Sequence, residues 1–137
     1  MTEEAARAEV VRRLLAQAGE ALDSAASELH AGRLRFAVNR CYYACFYAVS
    51  ALFLSEGREF GKHTAVRSAV NRDLVQTGRI EASWGTLYNT LFDARQDGDY
   101  EPMTEFTPEV VAAYVDAAAG FVARLRQSIS TGGQGGA

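Results

Sequence analysis

The stretch from Leu34 to Gly57 limits what this chain can fold into more than any other. Between Phe36 and Leu54 its only plainly polar residues are Asn39, Arg40 and Ser50, and no Pro or Gly interrupts it. Such a run predicts a continuous helix of roughly 30 Å. A helix apolar nearly all round is either a membrane span or the central helix of a bundle. Asn39 and Arg40 lie inside the run, and no second run of that kind exists in the 137 residues. Its neighbours carry one-sided apolar stripes that need a partner. The run is therefore read as the buried axis of a soluble helical bundle, with no membrane span. On a helical wheel Phe36, Arg40, Tyr43, Tyr47 and Leu54 share one face, with Asn39 and Ser50 at its edge, so a polar seam is expected there.

The remaining helices follow from periodicity and from their stop signals. Val11, Leu14, Leu15, Ala18, Leu22, Ala25, Ala26 and Leu29 predict a first helix from about Glu3 to His30, ended at Gly32. His30, in its last turn, is accounted for by the helix dipole. GREFGKHT breaks the chain after the central run. Its Gly57 and Gly61 miss the spacing of a phosphate loop, and the segment follows a helix instead of a strand. A third helix is predicted over Thr64 to Gln76 and a fourth over Ile80 to Asp97. Asp97-Gly98-Asp99-Tyr100 and then Glu101-Pro102 are expected to break the chain again. Thr107, Pro108 and Glu109 supply a cap, a first-turn proline and a dipole partner for a fifth helix. Residues 1–129 are thus one all-α domain, an up-and-down bundle of about five helices around the central one. Residues 130–137, rich in Gly, are expected to be a disordered tail.

Charge is polarised along the chain. Residues 31–79 carry eight basic and three acidic side chains, whereas residues 80–137 carry three basic and eight acidic. A basic middle third suits phosphates, and equally suits helix surfaces balanced against acidic neighbours. Cys41 and Cys45 stand four apart without flanking His or further Cys, which predicts buried free thiols and no metal site. The acidic start MTEEAARAEV lacks an apolar signal core, and the expected location is the cytoplasm. Arg95 stands four after Leu91 and seven after Tyr88, so it continues the apolar stripe of its helix and must find a partner there. His63 stands at the entrance of the third helix, placed to cap it or to meet a ligand.

Three segments carry a resemblance. Ala37-Val38-Asn39-Arg40-Cys41-Tyr42-Tyr43-Ala44 resembles the A-x-N-R-x-Y-Y-A signature of bacterial HEPN-domain proteins. Lys62-His63-Thr64 looks like their K-H-S/T, and Arg95-Gln96-Asp97-Gly98-Asp99-Tyr100 is similar to their R-x-x-x-D-Y ending. The match runs from about Ala5 to Gln127, in order. It implies a helical bundle that is commonly dimeric and often encoded beside a small nucleotidyltransferase, the expected protein partner. Many such domains are metal-independent ribonucleases with Arg, a polar residue, three more residues and then His. Arg95 matches the Arg and Gln96 loosely the polar position, but Tyr100 stands where the His belongs. A tyrosine with a pKa near 10 is only about one part in a thousand ionised at neutral pH, a poor base. His63 is the one other candidate for that role.

Three functional readings follow. The first is a nucleotide- or partner-binding module in a toxin–antitoxin-like pair, with Asn39, Arg40, Tyr43 and Asp99 as binding residues beside Arg95. The second is a toxin-like ribonuclease using Arg95, Tyr100 and His63 on RNA, across a dimer interface. In the third, Arg40, Tyr43 and Arg95 satisfy one another as a buried polar network. No cofactor is expected in any of them.

Overall fold

The computed structural model describes residues 2–100 and 105–135, except for the side chains of residues 97–100 and 133–135. Its elements in order are α1 (Glu3–His30), α2 (Leu34–Ser55), α3 (His63–Ala69) passing directly into a π-helical turn (Val70–Val75), α4 (Ala82–Tyr100) and α5 (Pro108–Gly135). The architecture is all-α, as the periodicity predicts, with no strand among the described residues. No described helix is long and apolar enough to cross a membrane.

Local chemistry sets the helix ends. Thr2 accepts from the Ala5 amide (3.0 Å) at the start of α1, and Thr107 accepts from the Val110 amide (3.2 Å) at the start of α5. The ends of α1 and α2 share one device. Gly32 and Gly57 each take φ 79°, a conformation that costs a residue with a Cβ. The amides of Gly32 and Arg33 then reach the carbonyls of Leu29 and Glu28, and those of Gly57 and Arg58 reach Leu54 and Phe53. This satisfies carbonyls that the helix end would orphan.

The core is built on α2. Ala37, Val38, Cys41, Tyr42, Ala44, Cys45, Ala48, Val49, Ala51, Leu52 and Phe53 are all buried. Ala18 and Ala25 of α1 are fully buried too, and small residues on both helices let the backbones approach closely. One side of α2 stays open: Phe36 is 61% exposed, Arg40 is exposed, and Tyr43 and Tyr47 are half-buried. The helix is an axis on most of its circumference and a surface on the rest. Burial pushes the Cys41 thiol up to about 12 and Cys45 well above its ordinary range, so both are inert apolar side chains.

Three boundaries differ from the sequence expectations. First, α4 does not break at Asp97 but continues to Tyr100. A single Gly in a helix costs only about 1 kcal/mol, which is too little to stop an established hydrogen-bond ladder. The expected break at Glu101-Pro102 lies outside the described residues. Second, the third helix widens to π geometry at Val70. There the Asn71 side-chain amide donates to the Arg67 carbonyl (2.8 Å) and exchanges two further bonds with Asn89 of α4 (3.0 and 3.1 Å). Third, α5 stays helical to Gly135, past the Ser130 at which the sequence predicts the start of a disordered tail, because extending a formed helix costs far less than starting one.

Gly85 sets how closely α4 approaches the π turn. A Cβ there would lie 2.6 Å from Cγ2 of Val75, a stiff branched side chain. Gly85→Ala gains about 1 kcal/mol in helix propensity but forces an overlap that typically costs about 1–3 kcal/mol. We expect a net loss, read as a melting temperature lower by several degrees. An unchanged or raised value would show that Val75 gives way freely.

Candidate functional site

A set of polar and aromatic side chains converges where α2, the start of α3 and the second half of α4 meet. The connection from α2 to α3 is pinned first. Arg58 lies over the rings of Phe53 (4.9 Å) and Phe60 (5.2 Å) and pairs with Asp73 (2.8 Å), while Phe60 packs edge-on against Phe53 (5.2 Å). Those contacts return the chain to the flank of α2 and deliver His63 at the first turn of α3. Its ring stacks on Phe46 (4.4 Å between centroids, 16° between planes) and meets Tyr43 edge-on (5.8 Å). The Nδ1 atom of His63 lies 2.7 Å from the hydroxyl of Tyr42, which is wholly buried.

Arg95 comes from α4, on the stripe that also carries Tyr88 and Leu91. Its guanidinium sits over the Tyr42 ring at 4.7 Å and the Tyr43 ring at 5.7 Å. Contacts of this kind contribute about 0.5–2 kcal/mol each, more as water is excluded. The aromatic faces therefore contribute to how an arginine is tolerated on an apolar stripe. Nearby, Arg67 lies over the ring of Phe92 (4.2 Å) and reaches Asp93 (3.5 Å), so two arginines line this side of α4.

The electrostatics make the site specific. Burial, and then the Arg95 charge, pull the His63 pKa below its ordinary 6.5, so the imidazole is neutral at pH 7. Burial pushes the Tyr42 hydroxyl up, with Tyr88 and Arg95 opposing that in part, so Tyr42 keeps its proton. Burial likewise raises Tyr88 far above its usual range. The result is a permanent cation, a neutral histidine and protonated tyrosines within one half-open cluster.

A pH dependence follows. The folded pKa of His63 is below the unfolded one, so beneath about pH 6.5 the unfolded chain binds more protons. The stability linked to His63 is complete above that value and is lost as the pH falls through it. We expect the melting temperature to drop between pH 7 and pH 5, and His63→Gln to flatten that slope. Carboxylates held low by arginines, such as Glu28, keep their linked stability across this range and lose it only at more acidic pH. A slope unchanged in His63→Gln would place the titration elsewhere.

Of the residues singled out from sequence, His63, Arg95 and Tyr43 are brought together. Asn39 is half-buried. Arg40 is exposed and lines a shallow groove with Gln17, Glu20, Ser24, Tyr43 and Tyr47, so it is not part of a buried network with Arg95. Tyr43 stands between that groove and the cluster. The side chains of Asp99 and Tyr100 lie outside the described residues. Sequence reasoning missed Tyr42, Phe46 and Tyr88. The i, i+4 pair Tyr42–Phe46, one turn of α2 aimed at His63, was the available signal. No group of three or more His, Cys, Asp or Glu side chains is gathered among the described residues.

Comparison with known proteins bears on what such a cluster is for. Residues 11–128 match the sequence profile of the HEPN domain. A UPF0332 protein of Thermotoga maritima is 43% identical over 113 residues, 82% of this chain and 86% of its own length. Two proteins of Methanocaldococcus jannaschii named as candidate toxins are also similar. One is 31% identical across 77% of this chain and 79% of its own length, the other 26% identical across 72% and 67%.

Proposed function

The chain belongs to the HEPN family, and on that footing we propose that it is the toxin-like member of a two-component pair whose Arg95 cluster binds the phosphate of a nucleotide. The observation that carries this reading is the placement of Arg95, held over Tyr42 and Tyr43 beside a neutral His63. An arginine cannot be deprotonated at neutral pH, and its planar fork matches phosphate geometry. The half-buried Tyr43 and Phe46 add aromatic surface beside it. The toxin names of the two archaeal relatives support the first half of the proposal. A small nucleotidyltransferase is the protein partner this reading expects. A second copy of the chain is the expected cover for the open side of α2, where Phe36 is exposed.

Titration of the purified protein with ADP and with a 5′-phosphorylated oligoribonucleotide tests the site. We expect binding that weakens with salt and falls about tenfold or more in Arg95→Ala, the loss of one charge-assisted contact. Binding indifferent to Arg95 ends the reading. Sedimentation as a monomer at micromolar concentration removes its second copy, and failure to co-purify with a co-expressed nucleotidyltransferase removes that partner.

A ribonuclease is the second reading, favoured by one observation: a histidine neutral at pH 7 lies within the electrostatic reach of Arg95. General acid–base help from a histidine is typically worth about 10²–10⁴-fold. RNA turnover that falls by about that factor in His63→Ala would establish it. No turnover, or turnover indifferent to Arg95→Ala, would exclude it.

A further inference from the structure

Behind His63 lies a pair of buried hydroxyls whose protons must each go somewhere. The Tyr42 hydroxyl and His63 Nδ1, 2.7 Å apart, allow two arrangements. In one, Tyr42 donates to Nδ1 and the ring proton sits on Nε2. In the other, Nδ1–H donates to the Tyr42 oxygen, and Tyr42 must send its own proton elsewhere. Among the described residues, the polar side chains that act on Tyr42 are Tyr43 and Cys45 on α2, His63 on α3, and Tyr88 and Arg95 on α4. Arg95 has donors only, and a thiol sulfur is a weak acceptor.

Tyr88 decides between the two. Its hydroxyl is buried without a hydrogen bond of normal geometry, yet it stands close enough to Tyr42 for each to shift the other's ionisation. If Tyr42 spent its proton on Tyr88, the other described side chains that act on Tyr88 would be Arg95, which has donors only, and Cys45, whose sulfur is a weak acceptor. If Tyr88 points to Tyr42 and Tyr42 points to Nδ1, both protons have oxygen or nitrogen acceptors. Buried hydroxyls without a partner are rare because each forfeits its hydration. Flipping the imidazole within its stack on Phe46 would set a ring carbon against the Tyr42 hydroxyl and lose the bond.

We propose that Tyr42 is a positioning residue that holds His63 as its Nε2–H tautomer, so that the neutral histidine offers a proton donor, not a base, to the phosphate-bearing ligand beside Arg95. The ligand half of this inference rests on the phosphate-binding reading, whereas the tautomer belongs to the ligand-free protein. It also explains chemically why the cluster suits binding better than cleavage: in its neutral form the outer nitrogen has no lone pair with which to take a proton.

Long-range ¹H–¹⁵N correlation of the imidazole nitrogens, in the full-length labelled protein at pH 7.5, reads the tautomer directly. The chain has two histidines, so a His30→Gln background leaves His63 alone. We expect a protonated Nε2 and a bare Nδ1. Tyr42→Phe keeps the ring but removes the bond to the neutral form, so the tautomers should mix and the titration midpoint should rise by about 0.5–1 pH unit. Tyr88→Phe should move both in the same direction by less. An Nδ1–H tautomer in the wild type overturns the proposal, as do ring nitrogens unchanged in a folded Tyr42→Phe. Should that variant fail to fold, the wild-type spectrum and Tyr88→Phe decide. Addition of ADP separates the two halves. A shifted Nε2–H signal supports both, and an unshifted one overturns the phosphate-binding reading while the tautomer stands on the first measurement.

Discussion

Phe121→Ala is expected to unfold this protein at temperatures where the wild type is stable. Phe121 is wholly buried on α5, meets Trp84 edge-on (6.1 Å) and packs against Tyr88 (5.8 Å). Truncating a buried Phe typically costs about 3–5 kcal/mol, the lost transfer energy plus the cavity left behind. A domain of this size has about 5–15 kcal/mol in total. The site should collapse poorly, because neighbours such as Tyr88 are themselves fully buried and held from other sides. Urea denaturation monitored by circular dichroism measures the loss as a lower midpoint at an unchanged slope. A cost under about 1 kcal/mol would mean that α4 and α5 are not joined through this ring. The variant bears on function too, since Tyr88 links Phe121 to Tyr42.

The largest functional effect is expected from Arg95→Glu. Reversing the charge removes the cation from above Tyr42 and Tyr43 and sets a carboxylate beside His63. Phosphate binding should fall about a hundredfold or more, beyond the tenfold of a neutral replacement, because repulsion is added to the lost attraction. The sign of a second readout is fixed by the same change. In the wild type the Arg95 charge helps to hold the His63 pKa below 6.5, so a negative neighbour should raise it above the wild-type value. NMR titration of His63 reads this without any ligand. Binding that survives charge reversal would remove Arg95 from the site, and an unmoved His63 midpoint would show that the two side chains do not meet in solution. Arg95→Lys should retain part of the binding, since a point charge remains but the planar fork is lost.

Legibility from sequence tracked how local the physics was. The limits of α1, Glu3 and His30, were readable from local signals, an apolar repeat of three or four residues and a Gly stop within one turn of His30. The start of α5 was readable for the same reason. The central run was readable as an axis because most of its residues are apolar. Its open face was not, because the wheel shows which residues share a side and not what covers that side. Arg40 and Tyr43 share a face, yet Arg40 is exposed while Tyr43 is half-buried with its ring nearly perpendicular to that of His63. Tyr42 was passed over for the same reason: one residue along the helix, it points about 100° away, toward elements the wheel does not contain. The end of α4 was misjudged because the unfavourable propensity of one Gly is small beside a formed ladder.

Sequence alone therefore determined the class of fold, the central helix and the stops that delimit α1 and α2. These depend on spacings of three or four residues and on backbone rules that act within a turn. Only the tertiary structure decided that His63 and Arg95, 32 positions apart, meet over Tyr42. That meeting depends on the Arg58 contacts that fold the connection back. It depends equally on the close approach at Gly85 and the Asn71–Asn89 pair that fix α4 against the π turn. None of these distances is carried by any one segment. They exist because separate helices must share one core, and the rotation of each is set by what the others leave to bury.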